Sequence, residues 1–195
     1  MRINVTRQSR IKAYIGWLCV ATPSLCHANI GVPMIFVTLP TMVIALLPII
    51  ILEALLALPT LKLPYRKLLK CFSIANLVST FVGIPVAWFL LVVLQMVTGG
   101  GGAHGLSSPV ARLLAVTWQA PWLIPYESDL VWMIPAATLV LLVPFFFASW
   151  WVEYLVAKRV LPDADKIVLR RSLRNVNFLS YSGLAFYIVI RMYFN

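Results

Sequence analysis

Three apolar runs, Val32–Leu52, Cys71–Val97 and Leu130–Val152, contain no Asp, Glu, Lys or Arg. Each is long enough to cross a bilayer core of ~30 Å as a helix, which takes about 20 residues. A fourth uncharged run, Asn175–Ile190, is shorter, with Arg191 and Tyr193 placed to anchor its far end. The runs are continuous, whereas a membrane β-barrel needs many segments of strict period-two alternation. Charged residues make up only 11% of the chain, against roughly a quarter in a soluble domain. The chain therefore reads as an all-α integral membrane protein.

Its net charge is +10, and placement decides what that charge means. Of 16 basic residues, four lie at the N-terminus (Arg2, Arg7, Arg10, Lys12) and four between the first two runs (Lys62, Arg66, Lys67, Lys70). Six lie between the last two runs (Lys158, Arg159, Lys166, Arg170, Arg171, Arg174), and only Arg112 and Arg191 fall elsewhere. This clustering is the bias that keeps Lys- and Arg-rich loops in the cytoplasm, aided by attraction to anionic lipid headgroups. Loops 58–70 and 157–174 are thus expected to be cytoplasmic and 98–130 extracytoplasmic. The lipid bilayer is the expected partner, and nucleic acid is not.

Residues 1–28 have the layout of a secretory signal peptide. Met1–Lys12 is polar and basic, Ala13–Ala21 is apolar, Thr22-Pro23-Ser24 breaks the run, and a cut after Ala28 fits Cys26-His27-Ala28. A retained, short first helix is the alternative, and both place Asn29 outside. Cleavage removes Cys19, Cys26 and His27, leaving Cys71 without a disulfide partner and His104 as the one histidine.

The remainder reads as a first transmembrane hairpin (29–97), an extracytoplasmic connector (98–130) and a second hairpin (131–195). The four spanning helices are expected near 33–57, 71–97, 131–156 and 175–194. The halves correspond in detail. Glu53 is followed 23 residues later by Asn76-Leu77-Val78-Ser79 and then Gly83; Glu153 is followed 24 residues later by Asn177-Phe178-Leu179-Ser180 and then Gly183. Met34 and Met133 precede the two glutamates by 19 and 20 residues. Each half runs out–in–out, so the duplication is a parallel repeat about an axis along the membrane normal.

In the connector, Gly99–Gly102, Gly105 and Ser107-Ser108-Pro109 read as a flexible linker, since no Gly-Lys-Ser/Thr follows to make a phosphate loop. Residues 110–123 are expected to form an interfacial helix. Trp118, Trp122 and Tyr126 would lie at headgroup level, as such aromatic residues do, or dock a partner.

The candidate site is the repeated set Glu53, Asn76, Ser79 and Glu153, Asn177, Ser180. Asn and Ser are three apart in each half and share one side of a helix. The simplest geometry has that side meeting the Glu of the preceding helix. Hydrogen bonds of this kind pin hairpins in membranes, whereas an intramembrane carboxylate also marks an ion, proton or substrate path.

Other chemistries lack their residues. No spanning run contains a histidine for haem ligation, and one histidine with one cysteine cannot build a zinc site. Asp163 and Asp165 fit the start of a short helix better than a metal site. No catalytic residue, metal or cofactor is expected, and the chain is not read as an enzyme.

Gly31-Val32-Pro33-Met34, a helix closing on Ile51-Leu52-Glu53, and Ala75-Asn76-Leu77-Val78-Ser79 after a signal peptide resemble an uncharacterised family of small multi-pass bacterial inner-membrane proteins. The resemblance covers most of the chain; it implies that location and supplies no activity. Two functions follow as expectations. One is an accessory or assembly subunit that binds another membrane protein or itself. The other is a small ion, proton or solute transporter or channel that uses the duplicated polar groups.

Overall fold

The computed structural model describes residues 31–99, 102–124 and 128–194. The expected signal peptide and Tyr126 lie outside them. In chain order the elements are β1 (Val32–Pro33), α1 (Met34–Leu61), α2 (Tyr65–Gly99), α3 (Pro109–Thr117), β2 (Trp122–Leu123), α4 (Leu130–Val160) and α5 (Lys166–Phe194). One turn of wider π-helix, Ser79–Gly83, lies inside α2. It comes just before Pro85, which has no N–H to continue an α-helical ladder.

The described residues are helical apart from the two-residue strands and the connections between elements. Among them three helices, α1, α2 and α4, are long and apolar enough to cross a membrane. At 29 residues α5 has the length, but Lys166, Arg170, Arg171 and Arg174 crowd its first turns. The long helices also run past the apolar segments, so most of 58–70 and 157–174 is helical rather than loop. The reason is amphipathic spacing. Leu68, Cys71 and Phe72, and likewise Leu169 and Leu173, continue a buried stripe while the cations between them stay exposed.

Two short connections remain at this end. Lys62 closes α1 in the left-handed conformation (φ 51°), with its N–H donating to the Leu58 carbonyl at 3.0 Å, a common helix stop. Asp165 caps α5 as its sequence position suggests, accepting the N–H groups of Ile167 and Val168 at 2.8 Å each. The helix that it starts is long, not short.

The helices pack as a ring. α1 lies on α2 and α4 on α5, while α2 also lies on α4 and α1 on α5. One apolar cluster, including Met34, Leu123, Met133 and Phe145, fills the end near the connector. Another, including Leu68, Phe72, Leu169 and Leu173, fills the basic end. Phe36, Ile44, Leu47, Phe89, Leu90, Val143 and Phe147 are exposed, whereas Glu53, Asn76, Glu153 and Asn177 are buried. A water-soluble protein places these residue types the other way round. A hydrocarbon surround, where backbone groups must be satisfied within the helices, fits this distribution. At the basic end, Arg170 lies over the Trp150 ring at 5.3 Å and Lys158 over Tyr154 at 5.7 Å, the pairing of a membrane interface.

The connector folds back over the helix ends. Its helix α3 is shorter than the expected 110–123. Ser108 caps it by accepting the Ala111 N–H at 3.1 Å, and it stops at Thr117. The turn Trp118–Pro121 and β2 follow; Pro121 has no N–H to offer the Thr117 carbonyl, and its ring crowds that group. Val32 pairs with Leu123 and Pro33 with Trp122 in an antiparallel register. The Met34 N–H donates to the Pro121 carbonyl at 3.1 Å, and Trp88 Nε1 donates to the same oxygen at 2.7 Å. Trp122 therefore packs inward, its ring 5.9 Å from that of Trp88, while Trp118 stays 39% exposed. Gln119, which is buried, donates to the Gly102 carbonyl at 2.7 Å and accepts the His104 N–H at 3.2 Å. That part of the glycine-rich segment is thus held in place.

Candidate functional site

Six polar side chains meet between the two apolar clusters, and they are the six singled out in the sequence. The glutamate on α1 and the glutamate on α4 are each 1% exposed. Asn76 Nδ2 donates to Glu53 Oε2 at 2.8 Å and Asn177 Nδ2 to Glu153 Oε2 at 2.6 Å. These are the bonds expected within each hairpin.

The serines do something else. Ser79 Oγ donates to Glu153 Oε1 at 3.0 Å, and Ser180 Oγ donates to Glu53 Oε1 at 2.7 Å. Each carboxylate therefore takes an asparagine from its own hairpin and a serine from the other. Helical geometry supplies the reason. Three residues turn through about 300°, so Ser points some 60° away from Asn. Because α2 lies between α1 and α4, that offset carries Asn76 toward one neighbour and Ser79 toward the other. The same holds for α5, which touches both α4 and α1.

Each donor has a second option on its own helix. The asparagine amides also donate to carbonyls one turn back, Asn76 to Phe72 and Asn177 to Leu173, both at 3.1 Å. Ser79 Oγ lies 3.1 Å from the Asn76 carbonyl and Ser180 Oγ 3.1 Å from that of Val176. A serine has one hydroxyl hydrogen. It can point that hydrogen across to the carboxylate or back to its own helix, the backbone option that serine commonly takes in helices.

A cavity of about 30 Å³ adjoins the carboxylates, with Thr80, Ser149 and Tyr181 in its wall; by volume it has room for about two waters. Tyr181 Oη and Ser149 Oγ are 2.7 Å apart, and Tyr181 also donates to the Phe145 carbonyl at 3.2 Å. Sequence reasoning missed this pair, although a signal was available. Ser149 stands one turn before Glu153 and Tyr181 one turn after Asn177, hence on the same helix faces. The matching positions in the first half are Ile49 and Thr80, which line the same cavity. The two sides of the centre are alike in their carboxylates and unlike in their rims.

Among the described residues, the donors to both carboxylates are neutral amides and hydroxyls. No group of three or more His, Cys, Asp and Glu comes together there that could hold a metal ion. Trp118 and Trp122 belong to the connector, apart from this centre.

Comparison of the chain with protein families, with curated proteins and with solved structures finds no match. The function has to be argued from the polar centre itself.

Proposed function

We propose that this chain is a small transporter of the bacterial inner membrane in which Glu53 and Glu153 form a proton-exchange centre. One observation carries the reading: each serine can bond either to the carboxylate of the other hairpin or to a carbonyl of its own helix. An ionised carboxylate only accepts hydrogen bonds, whereas a protonated one also donates. When a proton arrives, the serine turns its hydrogen back to its own helix and offers its oxygen to the new O–H. The centre thus stays hydrogen-bonded in both states, which a buried polar network requires.

The bonds that rearrange are the ones that join the hairpins. In this reading α5 is the fourth span and the halves are a duplicated hairpin, related about an axis along the membrane normal. The signal peptide is removed and the connector lies outside. Two-repeat transporters place coupling groups at the repeat interface and rock one repeat against the other. A purely structural link could use glutamine and avoid burying two carboxyl groups, whose ionised forms are costly to bury.

An accessory or assembly subunit is the second reading. It is favoured by Val110, Leu113 and Trp118, large apolar side chains exposed on the connector, where another membrane protein or a second copy would dock. Infrared difference spectra of the purified protein between acid and alkaline pH separate the two readings. A carboxyl band that changes with pH and is lost in E53Q/E153Q supports proton exchange. A spectrum identical in the double variant overturns it.

A further inference from the structure

The ends of α1, α4 and α5 remote from the basic connections part around a second, larger cleft of about 390 Å³. Val37, Met42, Ile134, Leu142, Leu184 and Ile188 give it apolar walls. Its volume falls in the range of ligand-binding clefts. Met42 and Leu184 also border the small cavity at the carboxylates, so these two side chains stand between the cleft and the polar centre.

Three of the polar side chains in its wall are engaged, and the Thr41 and Tyr187 hydroxyls, which also line it, remain available to a polar headgroup. The Thr38 and Thr138 hydroxyls each donate to the carbonyl one turn back, Met34 and Ile134, at 2.8 Å. Trp132 Nε1 donates to Asp129 at 2.7 Å. Among the described residues no acidic side chain lines the cleft, and Arg191 is the one cation that does. Arg191 is exposed, and no hydrogen bond engages it among the described residues. It is also one of only two basic residues in the chain outside the basic clusters.

Length identifies the occupant. From Leu130 to Leu142 the wall rises roughly 18 Å along α4, and one leaflet contributes about 15 Å of hydrocarbon. An apolar slot as deep as a leaflet, with one guanidinium and, among the described residues, no carboxylate in its wall, suits an acyl chain that carries an anionic headgroup. We infer that this cleft binds one phospholipid with a net anionic headgroup, its acyl chain along α4 and its phosphate on Arg191. Guanidinium and phosphate match in charge and in fork geometry. The site does not depend on the proton-exchange reading, because none of its binding contacts uses Glu53 or Glu153.

Native mass spectrometry of the detergent-purified full chain tests the inference, with phosphatidylglycerol, phosphatidylcholine of the same chains, and glycerol phosphate as probes. The expected result is one phosphatidylglycerol retained about tenfold more tightly than phosphatidylcholine, a difference of ~1.4 kcal/mol, with no competition from glycerol phosphate. R191Q, at an exposed position, is expected to remove that preference. E53Q/E153Q is expected to leave it intact. Equal retention of the two lipids, or a preference unchanged in R191Q, overturns the inference. A photo-crosslinking residue at Thr138, used in native membranes, fixes the occupant. Lipid adducts support the inference, and adducts to residues 1–30, to a second copy or to another protein overturn it.

Discussion

Ser180 and Glu53 are 127 positions apart in the chain, yet the serine hydroxyl donates to Glu53 Oε1 at 2.7 Å. With its counterpart from Ser79 to Glu153, it makes the two hairpins share one polar centre. This crossing sets what substitutions there should do.

Removing either crossing donor should loosen the hairpins from one another. S79A and S180A are each expected to lower stability by about 0.6–2 kcal/mol, the range for interhelical hydrogen bonds in membranes. Unfolding in mixed micelles measures this. In a double-mutant cycle, S180A should couple energetically to E53Q and be nearly additive with E153Q. Coupling to E153Q alone would mean that the crossing is wrongly drawn.

The two glycines that follow the serines should respond differently to alanine. A Cβ at Gly183 meets nothing within 4 Å, whereas one at Gly83 meets Val152 Cγ2 at 3.1 Å. Glycine within a helix costs roughly 0.5–1 kcal/mol relative to alanine, so G183A should stabilise by about that amount. G83A should gain less or lose stability, because it presses the π-turn against α4. Melting of the two variants side by side checks the difference in sign or size.

Gln119 should hold the connector. It is 2% exposed and both ends of its amide bond to backbone groups of the preceding segment. Q119A takes the partner from both backbone groups, which lie on an exposed glycine and a half-buried histidine, at a cost of about 0.5–1.5 kcal/mol for each hydrogen bond lost. Limited proteolysis is expected to cut between residues 98 and 108 faster in the variant, with the remaining helices still protected. An unchanged cutting rate would show that other contacts hold the segment.

Close approach at the start of α1 gives a fourth expectation. A Cβ on Gly31 would overlap the Trp122 ring, which is wedged beside Trp88. G31A should therefore disturb the pairing of Val32 and Pro33 with β2. The readout is the emission of the tryptophans: a shift is expected in G31A and should be absent in the exposed variant V110A.

The three long apolar helices and the six polar residues were legible because their signals are local. Uncharged runs mark spans, and Glu, Asn and Ser recur at matched spacing in both halves. The partner of each serine was not legible. Spacing within one helix says which residues share a face but not which neighbouring helix meets that face, and the ring order of α1, α2, α4 and α5 decides this. The starts of α2 and α5 were not legible because clustered charge resembles a loop, although Leu68, Phe72, Leu169 and Leu173 keep a helical stripe through the basic segments. Ser149 and Tyr181 were not legible for the opposite reason: repetition marks what the two halves share, and this pair is where they differ.

Proton flux in proteoliposomes tests the central claim most directly. Protein reconstituted around a pH-sensitive dye should move protons down an imposed gradient, and E53Q/E153Q, reconstituted to the same level and still folded, should not. The single variants should show intermediate or no flux, since each carboxylate is bonded to both hairpins. Flux in the double variant equal to that of the wild type, or none in either, would contradict the proton-exchange account and leave the centre as a structural link.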